Sequence, residues 1–98
     1  MTARSYTQIL SSKDFIKQYK RADVKIRKAF DKQIGIFEIN PTDLGLRNHP
    51  LRDKWKGCRS IDITADWRAI YKEIEEGKET VAYFIALGTH EELYSPID

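Results

Sequence analysis

The spacing of apolar residues changes about halfway along the chain, from the period of a helix to the period of a strand. Residues 4–10 are rich in β-branched and aromatic side chains, which predicts a short first strand. The Ser-x-x-Asp pattern over residues 11–14 predicts the start of a helix that runs to about residue 22. Asp23 is expected to cap a second helix that ends at Asn40-Pro41. The apolar stripe of this second helix consists of Val24, Ile26, Phe30, Ile34 and Phe37.

The second half of the chain has the two-residue alternation that is typical of β-strands. One strand is predicted directly after Gly57, a second over residues 67–74 and a third over residues 80–87. Residues 75–78 contain a glycine among charged residues and predict the hairpin turn between the last two strands. The third strand is apolar throughout, so we expect it to be buried on both faces, central in the sheet, and ended by residues 88–90.

The loop between the helices and these strands, from Pro41 to Gly57, is rich in turn residues and has little periodicity. Loops of this length in small proteins are usually functional. The predicted order of elements is β-α-α-β-β-β, in a single domain over residues 1–98. Three strands joined by hairpins cannot bury both faces of their own sheet. We therefore predict a small α+β fold in which two N-terminal helices pack on one face of a mainly antiparallel sheet, leaving the other face free for a site.

Composition limits the classes of protein to which the chain can belong. Hydrophobic residues make up 41% of the 98 residues, which is enough for one core. The longest apolar runs, such as Val81–Leu87, are far shorter than a membrane-spanning helix, and the first residues lack the apolar segment of a signal peptide. Cys58 is the only cysteine, so no internal disulfide can form. We expect a cytoplasmic protein with no membrane partner.

The net charge of +2 conceals an uneven distribution of charged residues. Residues 1–60 contain 14 Lys and Arg against 6 Asp and Glu, a balance of +8, whereas residues 61–98 contain 3 against 9, a balance of −6. A basic half of this size favours a polyanionic partner, above all a nucleic acid. The same pattern is also typical of lysine-rich helices that only face water.

Candidate residues for acid–base chemistry lie in or beside the irregular segments. His49 and His90 are the only histidines, and an imidazole can exchange a proton near neutral pH. Asp62 projects from its strand on the face opposite its apolar neighbours, and Asp66 opens the next strand, where it can serve a site or cap a turn. Arg68 lies inside a predicted strand, so it needs a carboxylate partner or an anionic ligand.

Contacts with a nucleic acid are predicted around the start of the sheet. Lys54, Lys56 and Arg59 make the loop that leads into the strands cationic. Trp55 and Trp67 have flat rings that can stack on bases or belong to the core. The sequence contains no P-loop, dinucleotide fingerprint or nucleophile elbow. Its histidines, cysteine and aspartates lack the short ligand spacing of zinc modules, so we expect neither a metal nor a cofactor.

Three motifs follow one another along the chain: Leu46-Arg-Asn-His49-Pro-Leu51, then Gly57-Cys-Arg59 leading to Ile63-Thr-Ala-Asp66-Trp67-Arg68-Ala-Ile-Tyr71, then Gly88-Thr-His90-Glu-Glu-Leu-Tyr94. In this order they resemble the RelE/ParE superfamily of bacterial and archaeal toxins, and most closely its YafQ-like branch. The resemblance spans about residues 5–95. It implies the toxin of a type II toxin–antitoxin system, which enters the ribosomal A site, contacts ribosomal RNA and cuts mRNA as an endoribonuclease. It also implies a cognate antitoxin that forms a heterocomplex with the toxin.

The resemblance implies roles for individual residues as well. His49 matches a histidine implicated in cleavage, and His90 matches the Gly-Thr-His histidine, a candidate general acid or base. Arg68 matches the strand arginine that holds the scissile phosphate in many relatives. The remaining matches are Asp66 and Trp67, which form the Asp-Trp pair of the branch, and Tyr94, at the position of a terminal aromatic residue that positions RNA.

One residue departs from the YafQ-like pattern, because that branch has a histidine at the position of Asp62. A carboxyl group ordinarily ionises near pH 4 and an imidazole near pH 6.5, so an aspartate is a poor proton donor at neutral pH. Asp62 can still accept a proton or orient a histidine. The implied reaction is attack of the RNA 2′-hydroxyl on its own phosphate, without a metal, with His90 as the acid and either His49 or Asp62 as the base.

A toxin-fold protein that binds without catalysis is the competing interpretation. ParE-like relatives act on DNA gyrase and generally lack the histidine and arginine set. The presence of His49, Asp66, Arg68 and His90 together argues against that branch here. A decayed toxin that only binds its antitoxin is the second non-enzymatic interpretation, and Asp62 favours it.

Overall fold

The fold combines a mixed sheet with helices on both of its faces. The structure, a computed structural model, describes residues 6–94. Within this part of the chain there are five strands, three helices and two single turns of 3₁₀ helix. The strands are β1 (Gln8–Ser11), β2 (His49–Pro50), β3 (Cys58–Asp62), β4 (Trp67–Glu76) and β5 (Glu79–Thr89). The helices are α1 (Lys13–Arg21), α2 (Val24–Ile39) and α3 (His90–Tyr94), and the 3₁₀ turns are Leu44–Leu46 and Asp53–Trp55.

The predicted α+β fold is confirmed, and the strand order is β1-β5-β4-β3-β2. β1 runs parallel to β5, and the other three pairings are antiparallel. The third predicted strand, β5, is internal as expected, although β4 rather than β5 occupies the middle of the sheet. Ser12 rather than Ser11 caps α1, and its hydroxyl accepts a hydrogen bond from the Phe15 N–H at 3.0 Å. The cap lies one residue later than predicted because Ser11 still pairs with β5.

Several predicted boundaries were wrong in ways that backbone pairing explains. The β4–β5 ladder continues through Glu75 and Glu76, so only residues 77–78 turn, and Gly77 has the positive φ of 61° that such a tight turn requires. β5 runs through residues 88–89 instead of breaking there. The predicted first strand begins only at residue 8, and residues 4–5 of that prediction lie outside the described part. The loop over residues 41–57 contains the short strand β2 and both 3₁₀ turns.

Aromatic rings join the two long helices to one face of the sheet. Phe37 of α2 lies 5.1 Å from Tyr71 of β4 and 5.6 Å from Phe84 of β5, measured between ring centroids. Phe15 of α1 and Phe30 of α2 extend the same cluster. Val24, predicted as part of the α2 stripe, is instead exposed at the start of the helix. No helix within residues 6–94 has both the length and the apolar character needed to cross a membrane.

A smaller apolar cluster covers part of the opposite face of the sheet, which the sequence analysis expected to be free. Ile70 of β4, Ala86 of β5 and Leu93 of α3 form its buried centre. Leu51 and Trp55, from the long loop, pack against it. The long loop and α3 therefore meet over this face of the sheet.

Truncation of Phe37 tests the aromatic cluster. Phe37 is fully buried, so we expect Phe37→Ala to lower the free energy of unfolding by about 3–5 kcal/mol, because apolar contacts are lost and a cavity remains. Chemical denaturation followed by circular dichroism measures this change. Ile39→Ala is the matched control in the same helix, since Ile39 is 88% exposed and should change stability by less than about 0.5 kcal/mol. Equal losses for the two variants would contradict this description of the core.

Candidate active site

A cleft of about 330 Å³ lies on the face of the sheet opposite α1 and α2. Its walls come from the long loop, the ends of β3 and β4, and α3. The structure thus brings together five of the residues predicted from the sequence, although they are separated by up to 45 positions along the chain. The lining residues are Arg47, His49, Leu51, Asp62, Arg68, His90 and Tyr94.

An ion pair across two strands forms the floor of the cleft. Asp62 of β3 and Arg68 of β4 are direct partners in the ladder, on the face opposite Ile61. Arg68 Nε lies 3.0 Å from Asp62 Oδ1, and the two side chains are only 15% and 16% exposed. Arg47 Nε lies 3.5 Å from Asp62 Oδ2, from the solvent side of the cleft. Asp62 is therefore the carboxylate partner that an arginine inside a strand needs, and its two oxygens face two guanidinium groups.

The guanidinium of Arg68 also holds the turn between β3 and β4. Its Nη1 donates hydrogen bonds to the carbonyl oxygens of Thr64 at 3.0 Å, Ala65 at 3.1 Å and Trp67 at 3.2 Å. Charged donors make strong hydrogen bonds to carbonyl groups, so these contacts fix the turn. Arg68 is thus engaged with the protein through both Nε and Nη1.

The backbone carbonyl of Arg47 orients the imidazole of His49. The distance from His49 Nδ1 to this oxygen is 2.7 Å. A carbonyl oxygen can only accept, so Nδ1 must carry a proton. In a neutral imidazole the other nitrogen, Nε2, then has a free lone pair, and it can accept a proton.

Asn48, between these two residues, anchors the loop on the opposite side of the sheet. Its Nδ2 donates to the Pro41 carbonyl at 2.9 Å and to the Tyr71 hydroxyl at 2.8 Å. Its Oδ1 accepts a hydrogen bond from Arg59 Nε at 2.8 Å. Asn48 therefore ties the segment that carries His49 to the aromatic core.

The same hydrogen-bond network continues to the edge of the core. The Tyr6 hydroxyl donates to Glu73 Oε2 at 2.6 Å and lies 3.0 Å from the Tyr71 hydroxyl. Burial, and then the hydrogen bond to the Glu73 carboxylate, raise the pKa of Tyr6 well above its usual value. The phenol is consequently held in its protonated form.

The opposite wall of the cleft is α3, which follows β5 directly. Thr89 and Glu92 form a capping box, in which the Thr89 N–H donates to Glu92 Oε1 at 2.9 Å and the Glu92 N–H donates to Thr89 Oγ1 at 3.1 Å. Gly88 permits this close approach, because a Cβ at that position would lie 3.2 Å from Glu92 Oε1. The rings of His90 and Tyr94, one turn apart, have centroids 4.6 Å apart.

Two further contacts fix α3 against the rest of the protein. The His90 N–H donates to the Asp66 carbonyl at 2.7 Å. The indole Nε1–H of Trp55 donates to the Leu93 carbonyl at 2.7 Å. Both ends of this short helix are therefore held by hydrogen bonds.

The structure does not bring the other predicted residues into the cleft. Asp66 contacts His90 through its backbone, and its exposed side chain does not line the cleft. Arg59 and Trp67 lie on the helix-covered side, where Arg59 binds Asn48 and Trp67 borders a groove between α1 and α3. Lys54 and Lys56 are exposed on either side of Trp55. Lys54 Nζ lies 5.6 Å from the centroid of the Trp55 ring, and the indole N–H of Trp55 in turn contacts α3.

Sequence reasoning missed Arg47 as a residue of the cleft. Its position two residues before His49 was an available signal, because both side chains come from one short segment. The structural reason is the backbone of Arg47, whose φ of 48° and ψ of 45° follow the 3₁₀ turn over residues 44–46. A left-handed backbone is not expected at an arginine, because residues other than glycine seldom adopt it.

The surroundings of Cys58 do not favour a reactive thiol. It packs against the smaller apolar cluster, and burial raises the pKa of its thiol despite the opposing effect of Lys72. A thiol of this kind stays protonated near neutral pH and is a weak nucleophile. Within residues 6–94, no three or more histidine, cysteine, aspartate or glutamate side chains are grouped in a way that could hold a metal ion.

The strand order, with α1 and α2 on one face of the sheet and the cleft on the other, is that of the RelE-like fold. The YoeB/ParE toxin from Agrobacterium tumefaciens superposes on this chain with a TM-score of 0.68, over 86% of this chain and 99% of that one. The two sequences are 21% identical, so this likeness establishes the fold.

The family follows from the sequence as well as the fold. A family model described as the bacterial toxin of type II toxin-antitoxin system, YafQ, matches residues 7–95, so the chain belongs to the YafQ family of toxins. This confirms the resemblance on which the residue roles were predicted. YafQ from E. coli strain BL21(DE3) is 27% identical, with a TM-score of 0.63 over 89% of this chain and 97% of that one. YafQ in the E. coli DinJ-YafQ complex is 28% identical, with a TM-score of 0.59 over the same shares of the two chains. No curated protein matches the chain.

The raised pKa of Tyr6 predicts how stability depends on alkaline pH. A pKa that is higher in the folded than in the unfolded state adds stability below the unfolded value, near 10, and this stability is lost as pH rises above it. We expect the difference in unfolding free energy between the wild type and Tyr6→Phe to be constant below pH 9 and to shrink above pH 10. Urea denaturation across this range measures it. Parallel pH profiles for the two proteins would contradict the assignment.

Removal of the Asn48 side chain tests the anchor of the loop. Asn48→Ala leaves the Tyr71 hydroxyl and Arg59 Nε without this partner, so we expect the free energy of unfolding to fall by about 1–3 kcal/mol. We also expect the imidazole resonances of His49 to shift in NMR spectra. Asn40→Ala is the matched control, because the Asn40 side chain accepts hydrogen bonds from the nearby Thr42 and its loss should leave His49 unchanged. An unchanged His49 spectrum in Asn48→Ala would refute the anchoring role.

Proposed function

We propose that this toxin is a ribosome-dependent mRNA endoribonuclease, and that its cleft cuts RNA by acid–base catalysis without a metal. The observation that carries the proposal is the convergence of His49 and His90 on one cleft that also contains arginine side chains. Two imidazoles and a cation are the groups needed for transfer of the phosphate to the neighbouring 2′-oxygen. The family assignment supports the same activity.

The proposed reaction begins with attack of the RNA 2′-oxygen on the adjacent phosphorus. A base takes the 2′-hydroxyl proton, and an acid gives a proton to the 5′-oxygen as its bond to phosphorus breaks. The products are a 2′,3′-cyclic phosphate and a free 5′-hydroxyl. A positioned acid or base typically contributes about 10²–10⁴-fold to such a reaction, and positive charge stabilises the crowded phosphorus in the transition state.

We assign His49 as the base and His90 as the acid. The contact of His49 Nδ1 with the Arg47 carbonyl supports the first assignment, because it leaves Nε2 free to accept the 2′ proton. Asp62 was the alternative base, but its two oxygens lie beside Arg68 and Arg47. We therefore assign Asp62 to the orientation of the arginines.

The remaining predicted residues take supporting roles in this proposal. Tyr94, whose ring lies beside that of His90, positions a base of the RNA. Asp66 orients His90 through its carbonyl oxygen. Lys54 and Lys56, exposed on either side of Trp55, bind the backbone of the message or of ribosomal RNA. Arg59 and Trp67 face away from the cleft, so their contacts with RNA would have to be made elsewhere.

The partner implied by the family is a cognate antitoxin. YafQ from E. coli is known in complex with DinJ, as a toxin–antitoxin pair. We propose a heterocomplex of the same kind for this toxin, with an antitoxin segment that is acidic enough to match the +8 balance of residues 1–60.

A binding protein without catalysis is the second candidate, and one observation favours it. Asp62 is engaged by arginines at the position where the YafQ-like branch has a proton-shuttling histidine. On this hypothesis the protein is a decayed toxin that binds its antitoxin, or a gyrase inhibitor of the ParE type. Neither version predicts ribosome-dependent cuts in mRNA.

Substitution of His90 distinguishes the two candidates. In a translating cell-free extract with a defined mRNA, the wild type should produce codon-phased 5′ ends that primer extension detects and that vanish without ribosomes. We expect His90→Ala to reduce the cutting rate by at least about 100-fold, because the leaving oxygen loses its proton donor. Ile39→Ala, an exposed change outside the cleft, should cut like the wild type.

The circular dichroism spectrum and antitoxin binding serve as controls for folding. If His90→Ala remains folded and still cuts at the wild-type rate, His90 is not the acid. If a folded, antitoxin-free wild type makes no cuts, the ribonuclease proposal fails and the binding interpretation replaces it.

A further inference from the structure

The cleft contains two guanidinium groups that differ in their freedom to bind an anion. Arg68 is 15% exposed, and its Nε and Nη1 already contact Asp62 and the carbonyl groups of the β3–β4 turn. Arg47 is 77% exposed, and its Nε contacts only the outer oxygen of Asp62, at 3.5 Å. Because the Arg47 side chain lies mostly in solvent, its contact with Asp62 contributes little to stability, and Arg47 can exchange it for another anion.

We propose that Arg47, rather than Arg68, contacts the scissile phosphate of the RNA. This inference rests on the proposed ribonuclease function. When RNA enters, Arg47 leaves the outer oxygen of Asp62 and donates hydrogen bonds from its planar guanidinium to two phosphate oxygens. Arg68 stays bound to Asp62 and to the turn, and acts as a positioning residue.

Charge in the cleft supports this division of roles. Asp62 carries one negative charge and lies between two guanidinium groups, so these three side chains keep a net charge of +1. A phosphodiester carries one negative charge and would neutralise them. The side chain that can move to meet it is the one on the solvent side, which is Arg47.

The backbone links Arg47 to the proposed base. Its left-handed conformation, with φ of 48°, directs the carbonyl oxygen to His49 Nδ1 at 2.7 Å. Asn48, the residue between them, is bound to Tyr71 and Arg59 on the other side of the sheet. The cation that meets the phosphate and the group that takes the 2′ proton are therefore held by one anchored segment.

Single-turnover cleavage on ribosomes programmed with mRNA tests the proposal. We expect Arg47→Ala to lower the cleavage rate constant by about 10²–10³-fold, as is typical when a donor to a developing anion is removed. Arg47→Lys, which keeps the charge, should recover part of the rate. The thermal midpoint of both variants should stay at the wild-type value, because the Arg47 side chain is exposed.

Two arginines serve as comparisons. Arg52→Ala changes an exposed arginine of the same loop that does not line the cleft, and it should cleave like the wild type. Arg68→Lys should lower the thermal midpoint and yet, while folded, cleave within about tenfold of the wild-type rate. Wild-type cleavage by Arg47→Ala, or a loss in folded Arg68→Lys as large as that in Arg47→Ala, would overturn the proposal.

A binding measurement decides the matter even if the wild type proves not to cleave RNA. In NMR spectra of the free toxin, titration with a 2′-O-methylated RNA trinucleotide should shift the Nε–H resonance of Arg47 and leave that of Arg68 in place. A shift confined to Arg68, or no shift of either at the highest concentration, would refute the role of Arg47. Failure of cleavage with a shift of Arg47 would instead refute only the ribonuclease function.

Discussion

The structure depends on Tyr71, because this residue belongs to both the core and the polar network behind the cleft. Its ring packs at 5.1 Å from both Phe37 and Phe84, measured between centroids, and so joins α2 to the sheet. Its hydroxyl receives the hydrogen bond of Asn48. An unpaired buried hydroxyl is costly and a buried ring must be enclosed, so this one side chain imposes two requirements on its surroundings. The segment that carries Arg47 and His49 is positioned through that hydroxyl.

The second constraint on the cleft is the distribution of charge around Asp62. A carboxylate that lies in a sheet and is mostly buried needs partners, and here two arginines from different segments provide them. One of these arginines is enclosed and bound to a turn, while the other remains in solvent. Asp62 therefore does more than supply one titratable group, because it also holds two arginines from different segments beside the cleft.

Sequence analysis predicted the parts of the fold that depend on local patterns. Two helices, the three long strands and the hairpin were evident because apolar spacing and turn residues specify them. The cleft residues His49, Asp62, Arg68, His90 and Tyr94 came from their chemistry and from family motifs, and they do line one cleft.

The features that were missed depend on contacts between distant residues. The strand β2 has only two residues, and it exists because His49 and Pro50 pair with β3. Arg59 was predicted to contact nucleic acid because it is close in sequence to Lys54 and Lys56. In the structure, strand alternation puts Arg59 on the same face as Ile61, away from the cleft. The place of Arg47 in the cleft depends on its left-handed backbone, which residue types alone seldom indicate, although its nearness to His49 in the sequence was a signal.

Because α3 is short, the two halves of the cleft differ in the free energy needed to unfold them locally. A helix of five residues is not stable alone in water. The order of α3 therefore depends on the capping box, on the Asp66 carbonyl that accepts from the His90 N–H, and on the Trp55 indole that donates to the Leu93 carbonyl. The half that carries Asp62 and Arg68 belongs to the sheet and is lost only when strands β3 and β4 separate. The half that carries His90 and Tyr94 can unravel at a far smaller free-energy cost. The affinity of any ligand that spans both halves is therefore reduced by the free-energy cost of keeping α3 folded. A partner that unfolds α3 would displace His90 and Tyr94 and inactivate the site without contacting the sheet.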